Sequence, residues 1–280
     1  MSGLDRTINL FRELFNDHHC RLDQEKLDMA GGKRLILQLL VVCLAAPVVK
    51  SGWLQGTATF YGGSDGSGTM GGACGYTNLY DQGYGLDNAA LSTVLFNDGA
   101  SCGQCYLIIC DQGKSTMCKP GTSITVSATN LCPPNYDLPN DNGGWCNPPR
   151  PHFDMSQPAW EKIGIYRAGI IPVVYQQVKC WRTGGLRFTM LGFNYFELVL
   201  VTNVAGSGSI KSISVKGTNT GWMQMSRNWG VIWQGMSGLM GQTLSLSITS
   251  TGGQNIVCEN VIPAGWLFGQ TFSTWRQFDY

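Results

Sequence analysis

The chain has 280 residues, of which 13% are charged, and its formal net charge is +1. That length suits one large domain or two small ones. So weak a field argues against nucleic acid as a partner, and 37 glycines and 9 tryptophans with so little charge point to a β-rich protein with tight turns.

In chain order, residues 1–28 form a polar, charged preface before Met29. From Met29 the sequence reads "MAGGKRLILQLLVVCLAAPVVKSGW", with Lys33 and Arg34 ahead of an apolar run from Leu35 to Ala46. This is the layout of a secretory signal peptide, and the run is shorter than the about 20 apolar residues a spanning helix needs. We therefore expect translation to start at Met29, residues 29–50 to be the signal peptide and residues 1–28 to be a gene-model extension. After residue 50 the charges balance, with twelve Lys/Arg and twelve Asp/Glu. Nine cysteines remain there, at 74, 102, 105, 110, 118, 132, 146, 180 and 258. In a secreted chain, clustered cysteines imply disulfides. The Cys102-Gly-Gln-Cys105 spacing also suits zinc, but one histidine after residue 50 and a secretory route argue against it.

In residues 53–182, strands are expected at "TATFYGG", "CYLIIC" and "SITVSATN". Short helices are expected at "DNAALSTVLF", capped by Asp87 or Asn88, and at "SQPAWEKIGIYRAG", with Ser156 as N-cap and Pro158 in the first turn. Strands with few helices and enough cysteines for four bridges suggest a small stapled barrel. The stretch "PPRPHFDMSQPAW" (148–160) holds His152 with Asp154 two residues on. In extended chain such a pair points to one side, so both are candidate site residues.

The cysteine cluster stops at Cys180, and Gly184-Gly185 reads as a short linker. Beyond it come "YFELVLVTNV", "SIKSISVKG", "TLSLSITS" and "ENVIPAGW", separated by Gly-, Asn- and Ser-rich turns. In "TLSLSITS", Leu244, Leu246 and Ile248 fall on one face. Residues 186–280 are therefore expected to form a β-sandwich. Trp222, Trp229, Trp233, Trp266 and Trp275 lie in it, with Trp181 at its border, more than so small a core needs. Exposed rings can lie on the C–H faces of crystalline polysaccharide.

Long motifs carry a resemblance to plant expansins of the alpha class. They are "ATFYGGSDGSGTMGGACGYTNLYDQGYG", "ALSTVLFNDGASCGQCY", "GGWCNPPRPHFDMSQPAW" and "YRAGIIPV" in the first half. The second half adds "LVLVTNVAGSGSIKSISVKG", "GWMQMSRNWGVIWQ" and "VIPAGWLFGQTF". The resemblance implies a double-psi β-barrel related to family-45 endoglucanases, followed by a cellulose-binding β-sandwich. It implies bridges Cys74–Cys102, Cys105–Cys180, Cys110–Cys118 and Cys132–Cys146, with Cys258 a free thiol. It also implies a secreted, monomeric plant cell-wall protein without a cofactor. Its partners would be cellulose and xyloglucan-like matrix glucans. No anchor motif supports a peripheral membrane association.

Glycoside hydrolysis ordinarily uses two carboxylates. By resemblance Asp154 stands where the endoglucanases keep their acid. The base of those enzymes follows the N-terminal aromatic strand, where this chain has Gly62 and Gly63, and a second acidic position of some relatives reads Asn130. Asp65, Asp111, Asp137 and Asp141 are expected in turns. The expectation is a groove of Asp154, Thr59, Tyr61, Asp65, Asn130 and His152 that grips a glucan without cutting it. Tyr195 and Trp229 would form an aromatic platform with Asn228 and Gln234 beside it. Trp222 is a further candidate, and Trp233 and Trp266 are expected in the core. No P-loop, dinucleotide fingerprint or histidine cluster occurs. The function expected is acid-dependent wall loosening. The alternatives are a weak family-45-like endoglucanase and a cellulose-binding protein that leaves wall mechanics unchanged.

Overall fold

The computed structural model describes residues 52–193, 195–235 and 238–279. The expected extension and signal peptide, residues 1–50, lie outside them. Six strands close a barrel: β1 (Leu54–Tyr61), β2 (Asn88–Ser92), β3 (Cys105–Cys110), β4 (Ile124–Cys132), β5 (His152–Ser156) and β6 (Ile171–Val178). Their order around it is β1-β5-β2-β4-β3-β6. The β1–β5 and β2–β4 pairs are parallel and the rest antiparallel. Alternation fills the interior: Phe153 and Met155 of β5, Val126 and Ala128 of β4, and Ile171 and Val173 of β6 are all buried in it.

Two expectations for the barrel need correction. Asn88–Ser92, read as helix, is a fully buried strand wedged between β5 and β4. Only α1 (Thr93–Phe96) is helical there. Two neighbouring strands supply β2 with hydrogen-bond partners and space for small side chains, which overrides the helix preference of Ala-Ala-Leu. Asn88 caps nothing; its amide donates to the Gly85 and Leu86 carbonyls. The second helix, α2 (Gln157–Trp160), is a single turn. Its predicted cap holds: the Ser156 hydroxyl accepts from the Ala159 N–H at 3.3 Å, with proline in the first turn.

Among the described residues, those after the barrel form two sheets. One, ordered β10-β9-β13-β14, contains β9 (Ile210–Gly217), β10 (Met223–Gln224), β13 (Leu244–Ser250) and β14 (Asn255–Ile262). The other is ordered β11-β12-β8-β7-β15. It contains β7 (Arg187–Phe193), β8 (Phe196–Thr202), β11 (Ser226–Trp229), β12 (Ile232–Gln234) and β15 (Thr271–Ser273). Leu244, Leu246 and Ile248 are completely buried, as their alternation requires. Trp233 and Trp266 are in this core too. The four disulfides are Cys74–Cys102, Cys105–Cys180, Cys110–Cys118 and Cys132–Cys146, and Cys258 is buried and unbridged. Cys102 and Cys105 are thus both oxidised, which removes them as zinc thiolates.

Barrel and sheets meet along a seam of close backbone contacts. Gly103 and Gly208 approach so closely that a Cβ on either would stand 2.3 Å from the other's carbonyl oxygen, and both have positive φ. Beside them Cys180 and Gly206 exchange backbone hydrogen bonds of 2.7 and 3.1 Å. The Val231 N–H donates to the Cys74 carbonyl at 3.0 Å. Arg227 fastens the seam, donating to the carbonyls of Gly230 (2.7 Å), Ile210 (2.6 Å) and Gly99 (3.4 Å) while its guanidinium lies 4.6 Å from the Trp233 ring centre. The Gly184-Gly185 stretch is fastened as well: the Asn203 amide donates to the carbonyls of Thr183 at 2.9 Å and Gly185 at 2.8 Å.

Arg227→Met would keep the stacked stem and strand three carbonyls. Urea unfolding is expected to show a loss of about 2 kcal/mol, within a single transition that includes both halves.

Candidate functional site

β1 and β5 run parallel in a register that sets Thr57 beside His152 and Thr59 beside Asp154. Four side chains become a chain of hydrogen bonds. The Thr59 hydroxyl donates to Asp154 Oδ1 at 2.7 Å. Having given away its one proton, it accepts from His152 Nε2–H at 2.8 Å. His152 Nδ1 is then the unprotonated nitrogen and accepts from the Thr57 hydroxyl at 2.8 Å. The relay fixes Asp154 Oδ1 as an acceptor, so Oδ2 is the oxygen on which a proton would sit.

The two titratable members respond oppositely to burial, because burial disfavours whichever form is charged. The Asp154 carboxyl is raised above its ordinary value by burial, with the Thr59 hydrogen bond pulling partly back. The His152 imidazole is pushed down to about 3 by burial and, secondarily, by the Arg150 charge. His152 is thus a neutral prop with no exposed surface. Its place in the expected groove is corrected accordingly: it shares a side of the strand with Asp154 but lies behind Thr59.

Asp154 continues a row across the barrel. It pairs with Ala90 of β2, which pairs with Asn130 of β4. Asn130 Oδ1 accepts from the Ala73 and Leu131 N–H groups, at 2.8 and 2.9 Å, and its Nδ2 donates to the Tyr61 hydroxyl at 3.4 Å. Burial raises Tyr61 above the usual phenol value; the Asn130 hydrogen bond opposes this, and the Asp154 charge adds to it. Asp65 stands apart, exposed in a turn where its carboxylate accepts from the Ser67 N–H at 2.9 Å, which lowers its pKa. Just after β1, Gly62 has a φ of +77°, and a Cβ there would stand 2.5 Å from the Ser67 carbonyl oxygen. A Cβ on Gly63 would meet Ser67 Oγ at 2.5 Å and Asp65 Oδ1 at 2.7 Å.

Thr59 and Asp154 open into a groove of about 510 Å³ whose other walls are Phe60, Trp145 and residues 168–170. Trp145 was not singled out in the sequence. Its signal was a tryptophan in an Asn/Gly/Pro loop beside Cys146, whose bridge to Cys132 ties that loop to the end of β4. The Arg150 guanidinium lies over its ring at 5.5 Å.

The proposed platform residues are on the surface of the sandwich. Trp229 ends β11 and is about half exposed, with its ring against Gly75 of the barrel, where an added Cβ would stand 3.0 Å from Cη2. Asn228 donates to Gln234 Oε1 at 3.1 Å across the β11–β12 pair. Tyr195, 81% exposed, sits at the turn into β8 of the same sheet. Trp222 adjoins β10 of the other sheet, with the Lys216 ammonium 5.9 Å from its ring centre. Trp181 and Trp275 are exposed on the surface.

Residues 186–263 match the expansin C-terminal domain family, and residues 88–175 match a family described as lytic transglycolase. Expansin-A19 of Oryza sativa subsp. japonica is 73% identical over 248 residues, covering 88% of this chain and 99% of that protein. The chain belongs to the expansins. Expansin-A7 of Arabidopsis thaliana is 54% identical, over 81% of this chain and 86% of its own length. Among solved structures, a D78N mutant of Clavibacter michiganensis expansin in complex with cellohexaose superposes with a TM-score of 0.62. It is 17% identical and is matched over 82% of this chain and 99% of its own. At that identity the likeness shows the fold, a double-psi β-barrel followed by a β-rich second half.

In this expansin the raised Asp154 value makes the neutral carboxyl the stabilised form. Its contribution is complete below the ordinary value of 3.8 and is lost as pH rises through the higher folded value. Asp154→Asn stays neutral and still accepts from Thr59. It is expected to melt above wild type at neutral pH, with the gap closing as pH falls toward 3.8; melts across the pH range check this.

Proposed function

We propose that this expansin is a secreted, monomeric wall protein that loosens plant cell walls in acid by breaking non-covalent adhesion between cellulose and matrix glucans, without hydrolysis. The barrel groove grips a glucan chain. It is lined by Asp154 and Thr59, with the Asn130–Tyr61 pair along the row from Asp154, all able to bond sugar hydroxyls, and Trp145 offers a ring to a sugar face. A protonated Asp154 donates from Oδ2 where the carboxylate only accepts, which ties grip to wall acidity. The platform of Trp229, Tyr195, Asn228 and Gln234 holds cellulose, with Trp222 as a further contact. The Clavibacter protein, crystallised with cellohexaose, supports a cello-oligosaccharide as the kind of ligand. Four disulfides fit an oxidising compartment.

One observation carries the non-hydrolytic reading. The row across the barrel from Asp154 runs through Ala90 to Asn130, and Gly62 and Gly63 follow β1 where the endoglucanase base is expected. Either hydrolytic geometry needs a second carboxylate to activate water or attack carbon. The Asp154 acid on its own favours the rival of weak endoglucanase activity.

The test uses heat-inactivated wall strips under constant load, with protein starting near residue 51. Creep is expected near pH 4.5 and not near pH 7, because neutral buffer ionises Asp154. Asp154→Ala is expected to lose creep while retaining cellulose binding, whereas Asp154→Asn, which keeps a neutral donor at the Oδ2 position, is expected to creep at either pH. Trp229→Ala is expected to weaken cellulose binding about tenfold, measured by depletion from solution. Steady release of reducing ends that vanishes in Asp154→Ala would make the protein an endoglucanase. Binding without creep at either pH would make it a binding module.

A further inference from the structure

Trp145 and Asp154 line the same groove, and the chain that joins them is fastened along its length. The Asn147 N–H donates to the Gly144 carbonyl at 3.1 Å, closing a turn around Trp145. Within that turn Cys146 bridges to Cys132. The buried Asn147 amide donates to the carbonyls of Asn135 and Leu138, at 2.9 and 3.1 Å, and its Oδ1 accepts from the Asn135 N–H at 2.7 Å. Farther on, the Arg150 N–H donates to the Asn147 carbonyl at 3.2 Å. The buried Ser92 hydroxyl donates to the Arg150 carbonyl at 2.9 Å and accepts from the His152 N–H at 3.0 Å.

These bonds fix main chain. They leave the two side-chain torsions of Trp145, which decide where its ring face lies, to other contacts. The Arg150 guanidinium supplies one, 5.5 Å from the ring centre. Trp145 walls the groove and Arg150 does not, so the cation sits outside the space a ligand would fill. A cation over an indole is drawn to the negative ring face, and the attraction is enough to choose among rotamers of similar energy. Arg150 can hold the ring because Asn147 and Ser92 already hold the main chain it projects from. Its charge also opposes a proton on His152, second to burial, and so helps to keep neutral the imidazole behind Thr59 and Asp154.

We propose that Arg150 is a positioning residue for the groove, holding the Trp145 ring where a sugar face stacks beside the Asp154 carboxyl. The stacking role rests on the reading that this groove grips a glucan. One side chain outside the groove would then set the spacing between its ring and its acid.

The test begins with the Trp145 indole N–H, assigned by its loss in Trp145→Phe and followed by nitrogen relaxation in protein starting near residue 51. The wild-type indole is expected to be as rigid as the backbone. In Arg150→Met its order parameter is expected to fall below about 0.6, and Arg150→Lys, which keeps a cation, is expected to recover most of the loss. Cellohexaose titration then reads the groove, in a Trp229→Ala background that weakens the platform. Arg150→Met is expected to weaken binding about threefold, and to have no further effect once Trp145 is replaced by alanine. With Trp229 intact, Arg150→Met is expected to keep wild-type cellulose binding, which reports that the variant folds. An indole unchanged in Arg150→Met would overturn the proposal. So would a binding loss that persists without Trp145, which would make Arg150 a direct contact or a part of the fold. A groove that binds no cellohexaose in any variant would sink the grip on glucan. The indole measurement needs no ligand, so it decides the role of Arg150 separately.

Discussion

The parallel pairing of β1 with β5 is the constraint on which the site depends. Parallel register places Thr59 beside Asp154 and Thr57 beside His152, across about ninety residues of intervening chain. Sliding one strand by a single residue would turn Asp154 into the core and Phe153 out of it. The core itself therefore enforces the register, since Phe153 and Met155 are fully buried and pack with Trp160 and Ile171. Packing energy and site geometry are two results of one alternation.

That alternation also separates the roles of two adjacent polar residues. His152 and Asp154 point the same way, yet one is sealed beneath the groove and the other opens into it. The imidazole is satisfied at both nitrogens by threonines. A neutral histidine used this way makes the Thr59 hydroxyl a donor to Asp154 Oδ1. One carboxyl oxygen, Oδ2, is left outside the relay, on a residue that lines the groove with Thr59, Phe60 and Trp145.

Much of this was readable from residues. The cysteine cluster and the aromatic strand "TATFYGG" pointed to a stapled barrel, and the strict alternation of "TLSLSITS" placed three side chains in the sandwich core. Ser156 as a cap followed from its place ahead of Gln-Pro-Ala. The resemblance supplied the disulfide pairs that the structure contains. β2 could not be read locally, because its strand state comes from partners at residues 127–132 and 153–155. The burial of His152 was equally hidden, since what covers it is β1 and Ser92, far away in sequence. No local signature placed Trp145 either, because its position beside Asp154 comes from the Cys132–Cys146 bridge that ties its loop to the end of β4.

The glycine contact at the seam has a consequence for how such a protein can be rebuilt. Gly103 and Gly208 belong to different halves, and each occupies the space where the other's side chain would begin. Neither half can be exchanged for a foreign counterpart unless the incoming surface also presents a bare backbone at that point. Chimeras that join this barrel to another carbohydrate-binding sandwich through residues 183–185 alone would tether two pieces without recreating their alignment. The natural unit of transplantation is the whole stretch from residue 52 onward.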